Sequence, residues 1–216
     1  MSKVDLPSSA AQQPPGPLTP CWSCKGPVDA RALFCHVCGA VQPPRAIDHF
    51  MRLALPAAFE VSLADLDRRY FGFQRYLHPD RFVAKSAKEK AISQQQAAAL
   101  NESYEILKNP LPRAAHLLAL KGKPLPGDGQ TISDPGLLME AMEAREALAE
   151  ANDARQLKAV ADRARADFEA GLKRLATAFA ENDLEAARTA VLRLRYLEKF
   201  REELRARAIA IAKGNS

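Results

Sequence analysis

Proline placement constrains this chain more than any other feature. It has 15 prolines in 216 residues, and none lies beyond Pro135. Proline lacks the helical N–H donor and clashes with the preceding turn, so it ends or kinks helices. The proline-free remainder is open to long helices, and its apolar residues recur at helical spacing to about Ala212. Asn152-Asp153 and Asn182-Asp183 interrupt that spacing with cap-forming residues. The pattern predicts helices over 135–151, 153–180 and 184–212, and their short connections imply a three-helix bundle. Plentiful Ala and Leu, with Gly at 10 and aromatic residues at 6%, suit helices better than sheet.

The earlier prolines divide the rest of the chain. Pro14, Pro15, Pro17 and Pro20 precede a short block ending at Gln42, and Pro43 and Pro44 follow it. Ala46 to about Leu120 is helical in pattern. Lys121–Gly129 is a string of turn formers and reads as a linker. The expected organisation is a disordered lead-in over 1–19, a metal-binding block over 20–42, a helical domain over 46–120 and the bundle over 130–216.

Net charge is +5 with pI near 9.1, and the basic residues are interleaved with acidic ones. Such a surface is solvated and mildly basic rather than built for nucleic acid. No uncharged apolar run approaches the roughly 20 residues that span a bilayer, so no membrane partner is expected. Residues 1–20 are polar, lack Arg and contain Asp5. They read as neither a secretory nor a mitochondrial leader, which leads to an expected cytoplasmic location.

In the second block Ser62 is a candidate N-cap with Asp65 at the third helical position. Leu63, Leu66, Tyr70, Phe73 and Leu77 then form one apolar stripe. Pro79 disfavours helical geometry at His78, so the helix stops near Leu77. A second helix is expected from about Ser86 to Lys108, with Ala97, Leu100, Tyr104 and Leu107 on its apolar side and Asn109-Pro110 at its end. Two long helices joined by a short loop pack antiparallel. On the first helix Arg68 and Arg75 lie opposite the apolar stripe, with Arg69 on the flank.

The loop His78-Pro79-Asp80, preceded by Arg75-Tyr76-Leu77 and continued by Arg81-Phe82, and the later run Leu100-Asn-Glu-Ser-Tyr-Glu-Ile-Leu107 resemble the J-domain family. The resemblance implies that His78, Pro79 and Asp80, with Arg75 and Arg68, contact the ATPase of a DnaK-class chaperone and stimulate its hydrolysis. Pro79 stiffens the turn, and a preorganised contact loses less entropy on docking. Phe71 and Gly72 thin the denser basic cluster usual in that family.

All four cysteines fall in the first block, as Cys21-x2-Cys24 and Cys35-x2-Cys38 with Gly26 and Gly39 nearby. Two such knuckles close a tetrahedral thiolate shell with no open position, the pattern of structural zinc, while iron in a rubredoxin-like site fits the same ligands. His36 is expected at the surface, and Trp22 and Phe34 as cover for the metal. A block this small needs the metal to fold.

Leu138, Met139, Met142, Glu143, Glu146 and Glu150 fall within about 140° of one another on the first helix of the bundle. An apolar patch that runs into an acidic edge suits a partner with a hydrophobic spot and basic neighbours. The segment Asp134–Glu150 and the later Leu192-Arg-Leu-Arg-Tyr-Leu-Glu-Lys199 resemble the iron–sulfur co-chaperone family, HscB in bacteria and Jac-type in mitochondria. The tetracysteine block is similar to that at the front of the animal members. The resemblance implies an all-α chain: a J-domain hairpin followed by a three-helix bundle and preceded by a small four-cysteine knuckle domain. It also implies an IscU-type scaffold protein on the Leu138–Glu150 face, flanked by Arg145 and joined by Tyr196 from the last helix. The implied role is non-enzymatic, with ATP hydrolysis performed by a DnaK/HscA-class partner. A generic J protein for unfolded clients is the other reading. A monomer is expected, with a dimer as the alternative.

Overall fold

A computed structural model describes residues 17–127 and 135–214, with side chains to residue 210. The chain divides by its contacts into two compact units, Met1–Asn109 and Pro110–Ser216. The expected lead-in falls mostly in residues 1–16, outside the described residues, as do the end of the linker and the start of the expected bundle domain.

Among the described residues the first unit begins with a two-stranded antiparallel sheet, β1 (Leu18–Pro20) and β2 (Pro27–Asp29), with Thr19 opposite Val28. Leu18 and Thr19, expected in the disordered lead-in, are thus paired strand residues. A one-turn helix α1 (His49–Arg52) follows, capped by the Asp48 side chain. The sequence pattern did not reveal it, because one helical turn shows no periodicity.

Helix α2 (Leu63–Leu77) starts at Ser62, whose hydroxyl accepts the Asp65 N–H. Its core side is Leu66, Phe73 and Leu77. Leu63, expected in that stripe, is 50% exposed in the first turn. Helix α3 (Ala87–Lys108) opens with a full capping box between Ser86 and Glu89. Its contacts with α2 run in opposite order along the two helices. Tyr104 bonds Asp67 at 2.8 Å and stacks on Tyr70 at 4.0 Å, while Tyr70 bonds Asn101 at 3.0 Å. The pair is therefore antiparallel.

Arg69, expected on the flank of α2, is only 8% exposed. It bonds Asp65 at 2.8 Å and the Ala54 carbonyl at 2.6 Å, where the backbone has a positive φ of 55°. The charge is paired rather than displayed, which is what burial of a guanidinium requires.

In the second unit α4 (Pro110–Leu120), α5 (Pro135–Glu150), α6 (Ala154–Ala180) and α7 (Leu184–Gly214) follow in order. Pro110 begins α4, where its missing N–H is not needed. Helix α4 packs on α7, so the contact division falls at Asn109, whereas the proline pattern set the boundary in the linker after Leu120. Asp153 caps α6 at 2.7 Å and Asp183 caps α7 at 2.9 Å, at the two expected breaks. The three long helices match their expected ranges to within two residues. One core cluster is Ala151, Leu157, Ala164, Phe200 and Leu204. Helices α6 and α7 pack closely at Gly171, where a Cβ would lie 2.7 Å from Leu194 Cδ2.

Candidate functional site

The turn after α2 is built by its proline. His78 has φ −56° and ψ 134°, an extended geometry that ends the helix, and Pro79–Phe82 form a single 3-10 turn. Phe82 is buried and anchors the far side of the turn. His78 Nδ1 accepts the Asp80 backbone N–H at 3.3 Å and lies 3.5 Å from the Asp80 carboxylate. The His78 and Asp80 side chains are 61% and 85% exposed. The loop thus presents two polar groups on a corner held by Pro79 and Phe82.

Arg68 and Arg75 are both exposed on α2, and Arg68 is ion-paired with Asp65. Phe71 sits between them on the same helical face and is 53% exposed. The sequence pattern marks Phe71 only as a gap in the basic cluster; the structure makes it an aromatic surface within that stripe.

The four cysteine sulfurs lie within 4.8 Å of one another. Cys21 Sγ to Cys38 Sγ is 3.8 Å and Cys24 Sγ to Cys35 Sγ is 3.7 Å. A tetrahedron with metal–sulfur bonds of about 2.3 Å has edges of about 3.8 Å, so the thiolates fit a metal and stand too far apart for disulfides. Each knuckle closes on itself: Lys25 N–H donates to the Cys21 carbonyl and Gly39 N–H to the Cys35 carbonyl. The residue after each second cysteine has a positive φ, Lys25 at 64° and Gly39 at 73°. In the first knuckle the left-handed residue is therefore Lys25, and Gly26 instead serves close approach, since a Cβ there would lie 3.2 Å from Val37 Cγ2.

Burial acts against ionisation of Cys21. Hydrogen bonds from the Cys24 and Ser23 backbone, from Gln42 and with Cys38 outweigh it and bring its pKa down to about 6. At Cys24 the Gly26 N–H favours the thiolate, but hydrogen bonding with Cys38, burial, Cys35 and Cys21 raise its pKa to about 11. Four thiols crowded together resist common ionisation, and a cation removes that resistance. His36 is exposed. Trp22 packs on the block's core and donates from Nε1 to the Val41 carbonyl at 2.7 Å.

On α5 the buried residues are Leu137 and Ala141, and Ala144 and Leu148 are partly buried against the cluster of Leu157, Phe200 and Leu204. Leu138, Met139 and Met142 are 45%, 65% and 65% exposed. Glu143, Arg145, Glu146 and Glu150 are exposed with them. Tyr196 is half-buried: its hydroxyl donates to the Ala141 carbonyl at 3.0 Å, and the Arg145 guanidinium lies 5.8 Å from its ring centroid. Arg145 also approaches Glu203 at 3.5 Å, and Arg193 pairs with Glu140 at 2.7 Å, so α7 supplies both a prop and a charged flank for α5.

A helical hairpin whose turn displays His78 and Asp80, in one chain with a separate helical bundle, places the molecule among the J-domain-type co-chaperones. The HSCB C-terminal oligomerisation domain matches residues 133–205. A co-chaperone protein HscB homolog of Shewanella amazonensis is 38% identical over 73% of this chain and 95% of its own. The iron–sulfur cluster co-chaperone protein HscB of Homo sapiens is 31% identical over 95% of this chain and 89% of its own. The crystal structure of human co-chaperone protein HscB superposes with a TM-score of 0.81, covering 88% of this chain and 99% of that one. The chain belongs to the HscB family of iron–sulfur cluster co-chaperones. No described helix is long and apolar enough to cross a membrane.

Proposed function

We propose that this protein loads an iron–sulfur scaffold protein of the IscU type onto a DnaK/HscA-class chaperone and stimulates that chaperone's ATPase. His78, Pro79 and Asp80 form the contact loop, and Arg75 and Arg68 meet an acidic surface beside it. Leu138, Met139 and Met142 bind the scaffold protein, with Glu143, Glu146 and Glu150 as an acidic edge and Arg145 and Tyr196 at the flank. The observation that carries the reading is the division of α5. Leu137 and Ala141 satisfy the bundle core, so the exposed apolar residues beside them serve something outside the bundle. Cys21, Cys24, Cys35 and Cys38 would hold zinc as a closed structural site, which adds folding energy to a block with little core of its own.

The test is ATP turnover by the matched chaperone and scaffold protein, with and without this protein. Stimulation by the unmodified chain and its loss in His78→Gln are expected; no stimulation refutes the role, and full stimulation by the variant refutes the loop's part in it. Replacing Leu138, Met139 and Met142 together by Ala weakens scaffold binding on this reading, and unchanged affinity rejects the α5 face.

A further inference from the structure

Gln42 joins the tetracysteine block to helix α3. The residue is 1% exposed, and its Nε2 donates to Cys21 Sγ at 3.3 Å and to the Ala40 carbonyl at 2.8 Å. Its own backbone carbonyl accepts from Nε2 of Gln96, a residue of α3 that is 3% exposed, at 2.8 Å. A second tie lies nearby, where the Lys88 ammonium of α3 sits 4.4 Å over the Trp22 ring.

The orientation of the Gln42 amide follows from its partners. A thiolate and a carbonyl oxygen both accept, so only the NH2 end fits between them. The cost of that choice is visible: the Oε1 atoms of Gln42 and Gln96 are buried without a hydrogen-bond partner among the described residues. A buried acceptor left unpaired is destabilising, and an apolar side chain of similar volume would avoid it. What the amides supply instead is two directed donors in series, one aimed at a sulfur and one at the backbone of the residue that aims it. A donor to a ligating sulfur fixes its direction and stabilises its charge, which is how outer partners hold metal ligands in place.

We infer that Gln42 is a positioning residue of the metal centre and that the chain Gln96–Gln42–Cys21 links metal loading to the order of α3, the second helix of the J-type hairpin. This rests on the reading of the four cysteines as a metal site. Because linkage is reciprocal, metal that tightens the block also steadies α3 around Gln96, and loosening α3 weakens the hold on metal.

The test uses the full chain with Zn2+ or Co2+ alone. Gln42→Leu is expected to lower zinc affinity, measured by chelator competition, by about 10–100-fold and to shift the sulfur-to-cobalt charge-transfer band, which bulk packing does not govern. Hydrogen exchange of α3 amides around Gln96 is expected to speed up when zinc is chelated. In Gln96→Leu those amides exchange at the faster rate already, and chelation adds little. Affinity and cobalt spectrum unchanged in Gln42→Leu overturn the positioning role. Exchange in α3 that ignores the metal, or responds equally in Gln96→Leu, overturns the linkage. If Gln42→Leu fails to fold, Gln96→Leu, whose side chain touches no sulfur, decides the linkage on its own. An unmodified chain that takes up neither ion refutes the metal reading itself, an outcome distinct from normal uptake by the variants.

Discussion

The Tyr196 hydroxyl on α7 donates to the Ala141 carbonyl on α5 at 3.0 Å, so α5 is pinned to the last helix one residue before the exposed Met142. The ring also stacks near Phe200, with centroids 6.2 Å apart, inside the cluster that contains Leu157 and Leu204. One side chain therefore ties the proposed scaffold face to the bundle core.

Tyr196→Phe keeps the ring and removes the hydrogen bond. The expected loss of stability is about 0.5–1.5 kcal/mol, read from chemical denaturation of the full chain. Tyr196→Ala also removes the part of the ring that is packed on Phe200 and is expected to cost more than Tyr196→Phe. Equal stability of the Phe variant and the unmodified chain would show that the bond contributes nothing.

Arg75 and Arg68 differ in their surroundings, because Arg68 is engaged by Asp65. On the proposed reading Arg75→Ala lowers chaperone stimulation more than Arg68→Ala does, and the difference shrinks as salt is raised. Phe71→Ala, which removes the aromatic surface between them, lowers stimulation with little dependence on salt. ATP turnover across a salt series checks all three.

Trp22 is the single tryptophan of the chain, and it packs on the cysteine block. Stripping metal with a chelator is expected to shift its fluorescence to the red as the block opens, while far-ultraviolet circular dichroism keeps most of its helical signal. Adding Zn2+ back restores the emission. Emission that ignores the chelator would contradict metal-dependent folding of the block.

Leu175 is fully buried on α6. Leu175→Ala is expected to cost about 2–5 kcal/mol, read as a fall in the denaturant midpoint of the second unit. Leu138→Ala, at a residue 45% exposed, is expected to stay within about 0.5 kcal/mol. A reversed order would place Leu138, not Leu175, in the core.

Much of this molecule is determined by local sequence. Ser62, Asp153 and Asp183 cap helices where their side chains alone predict, because a cap needs only neighbouring N–H groups. Pro79 ends α2 by the geometry it imposes on His78. The spacing of Cys21, Cys24, Cys35 and Cys38 brings four sulfurs together because each knuckle folds within a few residues.

Tertiary structure decided what periodicity leaves open. A 100° step cannot say which of two adjacent apolar residues faces inward, and packing chose Leu137 over Leu138. Helix α4 grouped with the second unit because its buried side chains pack on α7, a partner far away in sequence. Arg69 reads as a surface charge until Asp65 and the Ala54 carbonyl surround it. Gln42 and Gln96 belong to no motif, and their role exists only where the tetracysteine block meets α3. Short-range hydrogen bonding is written in neighbouring residues, whereas burial depends on the partners that folding brings together.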